Sequence, residues 1–293
     1  MRKLLVAIAM IAVLVAVPTS AMAASPTPFF NGFETDTAGW NGAITRQQSG
    51  YSNAGGYADG IVSASGGYHA RLGTDGAFTT WGGYTDTFPV GGYTTSLTIY
   101  LDVSWASSHP DARFDWDVSS SNSSGGFLRD FVFNAGTTPS NYLGTPGFVI
   151  NASTNAMRSS SSPSNPCPSP STAPNTCRMP VYITTSGWYT FVHTFSDGGA
   201  NGLQVDMSIL DSSGNTVASW TIYSGDPMSA VGGNQYGWFA NQEINDLPID
   251  NSALEVSLTP TDKDQCKNGG WQQFNSPTFK NQGDCIQFVN TGK

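Results

Sequence analysis

Tyr93, Thr95, Leu97, Ile99, Leu101 and Val103 alternate with Thr94, Ser96, Thr98, Tyr100 and Asp102 along one stretch of the chain. The same two-residue period sets Phe114, Trp116 and Val118 against Arg113, Asp115 and Asp117. It recurs where Leu203, Val205, Met207 and Ile209 alternate with Gln204, Asp206 and Ser208. Successive strand side chains point to opposite faces, so this period predicts half-buried strands. Further strands are predicted over 29–34, 43–48, 68–72, 127–134, 147–152, 180–184, 187–197, 216–223, 236–241 and 248–257. Asp211-Ser-Ser-Gly214 lies between two of them and predicts a hairpin turn. Thirteen short strands with Gly-rich turns and no helical period predict an all-β fold of two packed antiparallel sheets over residues 24–260.

Composition narrows the partners. Charged residues make up 11% of the 293, against about 25% in an ordinary soluble domain. Aromatics at 12% exclude a disordered chain, and three Glu in all (Glu34, Glu243, Glu255) argue against a helical bundle. A net charge of −9 repels phosphates and disfavours nucleic acid.

The N-terminus predicts export. Arg2 and Lys3 precede an apolar run from Leu4 to Val17, and Ala21-Met22-Ala23 supplies a small-x-small cleavage site. This is the layout of a secretory signal peptide over 1–23. The run of 14 residues before Pro18 is shorter than the ~18–20 that span a bilayer. The mature protein is expected to be secreted, with no transmembrane segment after signal removal. Four cysteines agree with an oxidising compartment. Three pairings are open to them, and the separate regions favour Cys167–Cys177 and Cys266–Cys285. Zinc is the alternative, but the spacings match no ligand pattern and His69, His109 and His193 lie far from every Cys.

Lysine divides the chain. None occurs between Lys3 and Lys263, whereas 261–293 holds four. Residues 24–260 carry six Arg against 18 acids, and the last 33 residues carry four Lys against three Asp. The break at Thr259-Pro260-Thr261 predicts a small tail, too short for a core without its disulfide. Trp271, Phe274, Phe279 and Phe288 are expected to pack around that bridge or on the main domain. Residues 153–178, rich in Ser, Pro and Asn, predict a long surface loop tied by the first Cys pair. Gly-Gly-Tyr at 55–57, 66–68, 82–84 and 91–93 is spaced too irregularly for a repeat. It reads as turns releasing into strands, or as a rim of exposed Tyr for stacking on sugars.

Phe30-Asn-Gly-Phe-Glu-Thr-Asp-Thr-Ala-Gly-Trp40 and Ile249-Asp-Asn-Ser-Ala-Leu-Glu-Val256 resemble the first and last strands of jelly-roll sandwiches. That group includes concanavalin A-like lectin and glucanase domains and many carbohydrate-binding modules. Ser65-Gly-Gly-Tyr-His69 and Gly187-Trp-Tyr-Thr-Phe-Val-His-Thr-Phe195 are similar to inner strands of the same group. The tail, Lys263-Asp-Gln-Cys-Lys-Asn-Gly-Gly-Trp271 with Phe279-Lys-Asn-Gln-Gly-Asp-Cys285, resembles one recurring in exported bacterial proteins of undefined function. The resemblance implies a jelly-roll, concanavalin A-like sandwich. It also implies a structural calcium where first and last strands meet, with Glu34, Asp36 and Asp250 as ligands and hard oxygen donors to suit the ion. No organic cofactor is implied.

Glycan-cleaving members of that group carry Glu-x-Asp-x-x-Glu on one strand, which this chain lacks. Asp115 and Asp117 share one strand face and could approach the about 5–5.5 Å separation of a retaining pair. The alternative is that they line a polar cleft or pair with Arg113 and Arg129. No Gly-x-Ser-x-Gly elbow and no Gly-Lys-Ser/Thr occurs. For binding, the argument is subtraction. Arg113, Asp115, Asp117, Arg129 and Asp130 interrupt two adjacent strands of a domain otherwise starved of charge, where a cross-strand ion-pair ladder is the plain explanation. Arg129 and Asp130 point to opposite faces, so one of them joins the cluster. Trp81, Trp105 and Trp238 lie near predicted loops and could complete a platform, since carboxylates and Arg hold sugar hydroxyls while aromatics stack on the rings. The expected function is binding of a polysaccharide or cell-surface glycan. The rivals are a hydrolase or lyase using Asp115/Asp117 and a structural or adhesive protein without a small ligand.

Overall fold

A computed structural model describes residues 28–74, 76–138, 145–154, 180–260, 262–275 and 277–293. The expected signal peptide and Cys167–Cys177 lie outside the described residues.

Among the described residues fifteen strands form two antiparallel sheets. In the first sheet the spatial order is β13 (Thr216–Tyr223), β12 (Leu203–Leu210), β11 (Gly187–Asp197), β6 (Tyr93–Leu101), β15 (Leu247–Val256), β4 (Tyr68–Leu72) and β3 (Ile44–Gln48). The short β1 (Phe29–Asn31) also pairs with β15. The second sheet runs β10 (Val181–Ile183), β9 (Gly147–Thr154), β8 (Phe127–Thr138), β7 (Arg113–Asn122), β14 (Val231–Ala240), β5 (Phe78–Thr79) and β2 (Trp40–Asn41). The chain crosses between sheets after β1, β2, β4, β5, β6, β10, β13 and β14, which is the jelly-roll manner of closing a sandwich.

The thirteen expected strands are all present, and the alternating apolar sets face inward. Leu97, Ile99 and Leu101 of the first sheet meet Phe114, Trp116 and Val118 of the second in one core. Aromatic rings fill its centre. Trp40 stacks on Trp116 at 5.9 Å, and Phe133 meets Phe191 edge to face at 5.1 Å. Two strands were not anticipated, β2 and β5, because two residues carry no period. β14 also begins at Val231 rather than 236. In that extension a Cβ on Gly233 would lie 1.9 Å from Thr85 Oγ1, so the glycine lets the strand run flush against its neighbour.

Gly237 has a similar role inside the core. A Cβ there would sit 2.6 Å from Cη2 of Trp116 and 3.0 Å from the Trp81 ring. Gly237→Ala must displace two indoles at once, and overpacking of this kind costs about 1–3 kcal/mol. A thermal or urea melt of the variant is expected to show that loss, and an unchanged midpoint would mean the rings can shift freely.

Of the four Gly-Gly-Tyr motifs, Tyr68 and Tyr93 begin β4 and β6, and Tyr57 is buried. Tyr84 alone of the four is strongly exposed, so the motifs build turns rather than an aromatic rim.

Beyond β15 come two 3₁₀ turns (Lys263–Cys266 and Gly270–Gln273) and helix α2 (Gln282–Thr291). The Cys266–Cys285 disulfide joins the first turn to the helix. Asn281 caps α2 by accepting from the Asp284 amide at 3.0 Å, and Gly292 ends it in the left-handed conformation. This helix was not anticipated, although Asn281 and Gly292 bracket it in the sequence. Phe274 packs edge to face on Phe279, which lies tilted against Phe288 of α2. Asn275 fastens the tail to the sandwich, donating to the Val256 carbonyl at 2.8 Å and accepting from the Leu258 amide at 2.6 Å. Among the described residues no helix is long and apolar enough to cross a membrane.

Candidate functional site

Because Phe114, Trp116 and Val118 face the core, Arg113, Asp115, Asp117 and Ser119 project from the outer face of the second sheet. Strand register assembles their neighbours. Asp117 lies opposite Val132 of β8 and Trp238 of β14, and Asp130 lies opposite Ser119. Asn134 is opposite Asp115 on one side and Asn151 of β9 on the other. One face therefore carries three carboxylates, a guanidinium, two carboxamides and an indole.

Hydrogen bonds order this face. Asn134 Nδ2 donates to Asp115 Oδ1 at 2.8 Å, and Asn241 Nδ2 donates to Asp115 Oδ2 at 2.7 Å. Ser153 Oγ donates to Asn134 Oδ1 at 2.6 Å. The result is a row, Asn241–Asp115–Asn134–Ser153, running across four elements. Beside it Tyr236 and Trp238 lie with ring centroids 4.8 Å apart. Burial raises the pKa of the Tyr236 hydroxyl, helped by the negative charges of Asp130 and Asp117. Asp117 is 1% exposed and Asp115 5%, while Trp238, Tyr236, Arg113 and Asn134 stay half-buried. Asn151, 8% exposed, holds its Oδ1 buried with no hydrogen-bond partner. Asn134, Asn151, Ser153, Tyr236 and Asn241 were not singled out in the sequence. The signal for the first three was their alternation with core positions on β8 and β9.

Three expected members stand elsewhere. Trp81 is 3% exposed and belongs to the core, because the turn that carries it folds inward against Gly237. Trp105 sits on the one-turn helix α1 (Val103–Ala106), stacked on His109 at 3.7 Å and edge-on to Tyr57, at the margin of the core. Arg129 turns from Asp130 and forms a two-pronged ion pair with Asp226, Nε at 2.5 Å and Nη2 at 2.8 Å. It ties β8 to the segment after β13, joining the two sheets at their rim. Of Arg129 and Asp130, the acid joins the face.

The three carboxylates expected to hold calcium each accept backbone amides, and the charge of Glu34 acts on Asp250. Glu34 accepts the amides of Gly67 at 3.0 Å and Tyr68 at 3.2 Å. Asp36 accepts the Ala38 amide at 2.9 Å and Asn31 Nδ2 at 3.4 Å. Asp250 accepts the amides of Ser65 at 3.1 Å and Asn251 at 2.8 Å, and burial raises its pKa to about 6. Among the described residues no three His, Cys, Asp or Glu are grouped to hold a metal ion.

A Ser–His contact occurs on the other sheet. Ser63 Oγ lies 3.0 Å from His69 Nδ1, while Arg71 Nε donates to His69 Nε2 at 3.3 Å. With Nε2 accepting, the ring proton sits on Nδ1 and points at the serine. That His cannot take the serine proton, so the contact is structural. On the second sheet both oxygens of Asp115 are held by carboxamides. Asp115 therefore organises its neighbours and is poorly placed to attack a sugar carbon.

No protein-family model and no curated protein matches the sequence. Solved structures resemble it in outline. The CBM2 module of the evolved Dit of Lactobacillus casei BL23 phage J-1 is 12% identical at a TM-score of 0.40, covering 78% of this chain and 94% of that one. The alginate lyase of the marine Aplysia kurodai is 7% identical at a TM-score of 0.36, covering 66% and 84%. The metal-free Griffonia simplicifolia lectin I-B4 is 11% identical at a TM-score of 0.36, covering 80% and 100%. At such identities the likeness is one of two-sheet architecture alone.

Proposed function

We propose that this protein is an exported β-sandwich that binds a polysaccharide or cell-surface glycan on the outer face of its second sheet. The observation that carries the reading is the placement of the Tyr236–Trp238 ring pair directly beside the Asn241–Asp115–Asn134–Ser153 row. Sugar rings offer apolar faces to aromatics and hydroxyls to planar amides and carboxylates, and this face offers both partners within a register step. Export is supported by the Arg2-Lys3 and Ala21-Met22-Ala23 pattern at the N-terminus.

The test is affinity electrophoresis and titration calorimetry of the full mature chain against soluble β-glucan, galactomannan and xylan. Trp238→Ala is expected to weaken binding about tenfold, equivalent to ~1.4 kcal/mol for one lost ring contact. Reducing-end release is expected to be absent. Release that disappears in Asp117→Asn would replace this reading with the hydrolase or lyase.

A further inference from the structure

We propose a second glycan site on the opposite face of the sandwich, selective for neutral chains. It lies on the outer face of the first sheet and rests on the glycan-binding reading above. Two adjoining clefts of about 440 and 310 Å³ share Trp188, Asp211 and Ser212 in their walls. Both volumes fall in the ~300–1,000 Å³ range of small-molecule sites. The smaller cleft is lined by a pair of facing hydroxyls, Thr98 and Thr190, whose Oγ1 atoms are 3.0 Å apart on β6 and β11. One wall is the hairpin turn that begins at Asp211, and the facing wall is the segment at Ser63 together with Asn251.

The clefts are assembled for a polyhydroxyl ligand. Trp188 stands between them with its ring fixed on three sides. Its Nε1 donates to the Val62 carbonyl at 2.8 Å, and it packs edge-on against Tyr100 at 5.3 Å and His69 at 5.9 Å. With the indole N–H satisfied, the ring contributes an apolar surface in a position set before any ligand arrives. Asp211 is equally fixed. Its carboxylate accepts from the amides of Ser213 and Asn215 at 2.9 Å each and from Asn215 Nδ2 at 3.0 Å. Those donors lower its pKa and keep it an ionised acceptor for hydroxyls. Thr98 and Thr190 each retain lone pairs after bonding to one another.

Charge sets the selectivity. Among the described residues no Lys or Arg lines either cleft, and Asp211 is the charged group in the walls they form. A uronate or sulfated chain would meet a carboxylate with no base to offset it, whereas a neutral chain meets hydroxyls, an amide and a ring. Because the two sites occupy opposite faces, one molecule can hold two chains, and avidity on a polysaccharide gel then exceeds that of either site.

The test compares Ser212→Arg with Trp238→Ala. Ser212 is an exposed turn residue, so the arginine fills the cleft mouth without touching the core. Titration uses the full mature chain with β-glucan, galactomannan and xylan oligosaccharides as neutral probes and oligoalginate as the acidic one. The expected result is two neutral oligosaccharides per wild-type molecule, one per molecule of Ser212→Arg, and in Trp238→Ala one unchanged site beside one about tenfold weaker. Ser212→Arg should melt as the wild type does. Unchanged stoichiometry in Ser212→Arg with weakened binding in Trp238→Ala overturns the groove and leaves the second-sheet site standing. The reverse pattern keeps the groove and overturns the second-sheet site. Wild-type protein that binds none of the neutral probes overturns both, and equal binding of oligoalginate overturns the selectivity.

Discussion

Urea midpoints measured from pH 7 down to pH 4 are expected to fall steeply, and His193→Leu to flatten that fall. His193 of β11 is 0% exposed, in ring contact with Phe133 at 4.8 Å and Phe195 at 6.2 Å. Burial pushes its pKa down to about 3, outweighing a Phe131 backbone contact that favours the charged ring. The folded pKa lies below the unfolded value near 6.5, so the unfolded chain takes the proton first. Stability is therefore full above about pH 6.5 and is lost as pH falls toward 3. Each pH unit in that window removes about 1.4 kcal/mol, which makes the total for this one side chain ~5 kcal/mol. His69, lowered to about 4 by burial and then by the Arg71 charge, acts in the same direction. Asp250 acts in the opposite one. Its folded pKa, raised to about 6, adds stability as pH falls from 6 toward 4. His193→Leu removes one of these three contributions and keeps an apolar core. If the wild type and His193→Leu lose stability in parallel, the buried imidazole is not the acid-sensitive element.

Arg71→Met is expected to cost about 3–5 kcal/mol, or to release residues 49–61 before global unfolding. Arg71 is 2% exposed on the outer face of β4, and the long segment before that strand folds over it. Its Nη1 donates to the carbonyls of Tyr57 at 2.9 Å and Asp246 at 3.3 Å, and its Nη2 donates to Ala58 at 2.7 Å. Burial lowers its pKa, and the Asp246 carboxylate foremost opposes that shift. Methionine fills the stem but takes the guanidinium donor from the Ala58 and Asp246 carbonyls and leaves the Tyr57 carbonyl with Asn53 Nδ2 alone. The segment also holds Ala54 and Ala58 at φ +59° and +52°, a conformation that non-glycine residues adopt at a cost. Amide hydrogen exchange separates the outcomes. Faster exchange confined to 49–61 marks a local latch, uniform acceleration a global role, and no change a redundant arginine.

Much of the fold was legible because burial on one face imposes a period of two. The outer-face cluster was legible for the same reason, since charges at 113, 115 and 117 must share a face once 114, 116 and 118 are core. Arg129 was harder. Its partner Asp226 is 97 residues away, and no local pattern announces an ion pair between sheets. Trp81 was misplaced because flanking glycines mark a turn but not which way the turn folds. The groove around Trp188 was invisible in the sequence. Thr98, Thr190, Asp211 and Asn251 come from four separate segments, and each alone looks like an ordinary surface residue. Amide donors decided the fate of the acids near β1, and backbone N–H directions cannot be read from residue types.

Strand β13 closes one side of the first sheet, and its far side pairs with nothing among the described strands. The other sheet margins, β3, β10 and β2, are five, three and two residues long, whereas β13 is eight. Thr216-Val-Ala-Ser-Trp-Thr-Ile-Tyr223 contains no charge and no proline, the two devices that usually blunt such a margin, and Val217 and Tyr223 are exposed on it. A second copy's β13 added there would extend the sheet across two molecules. This margin is therefore where self-association, and at high concentration fibre growth, would begin. A single lysine at Ser219 is the economical way to keep the protein dispersed.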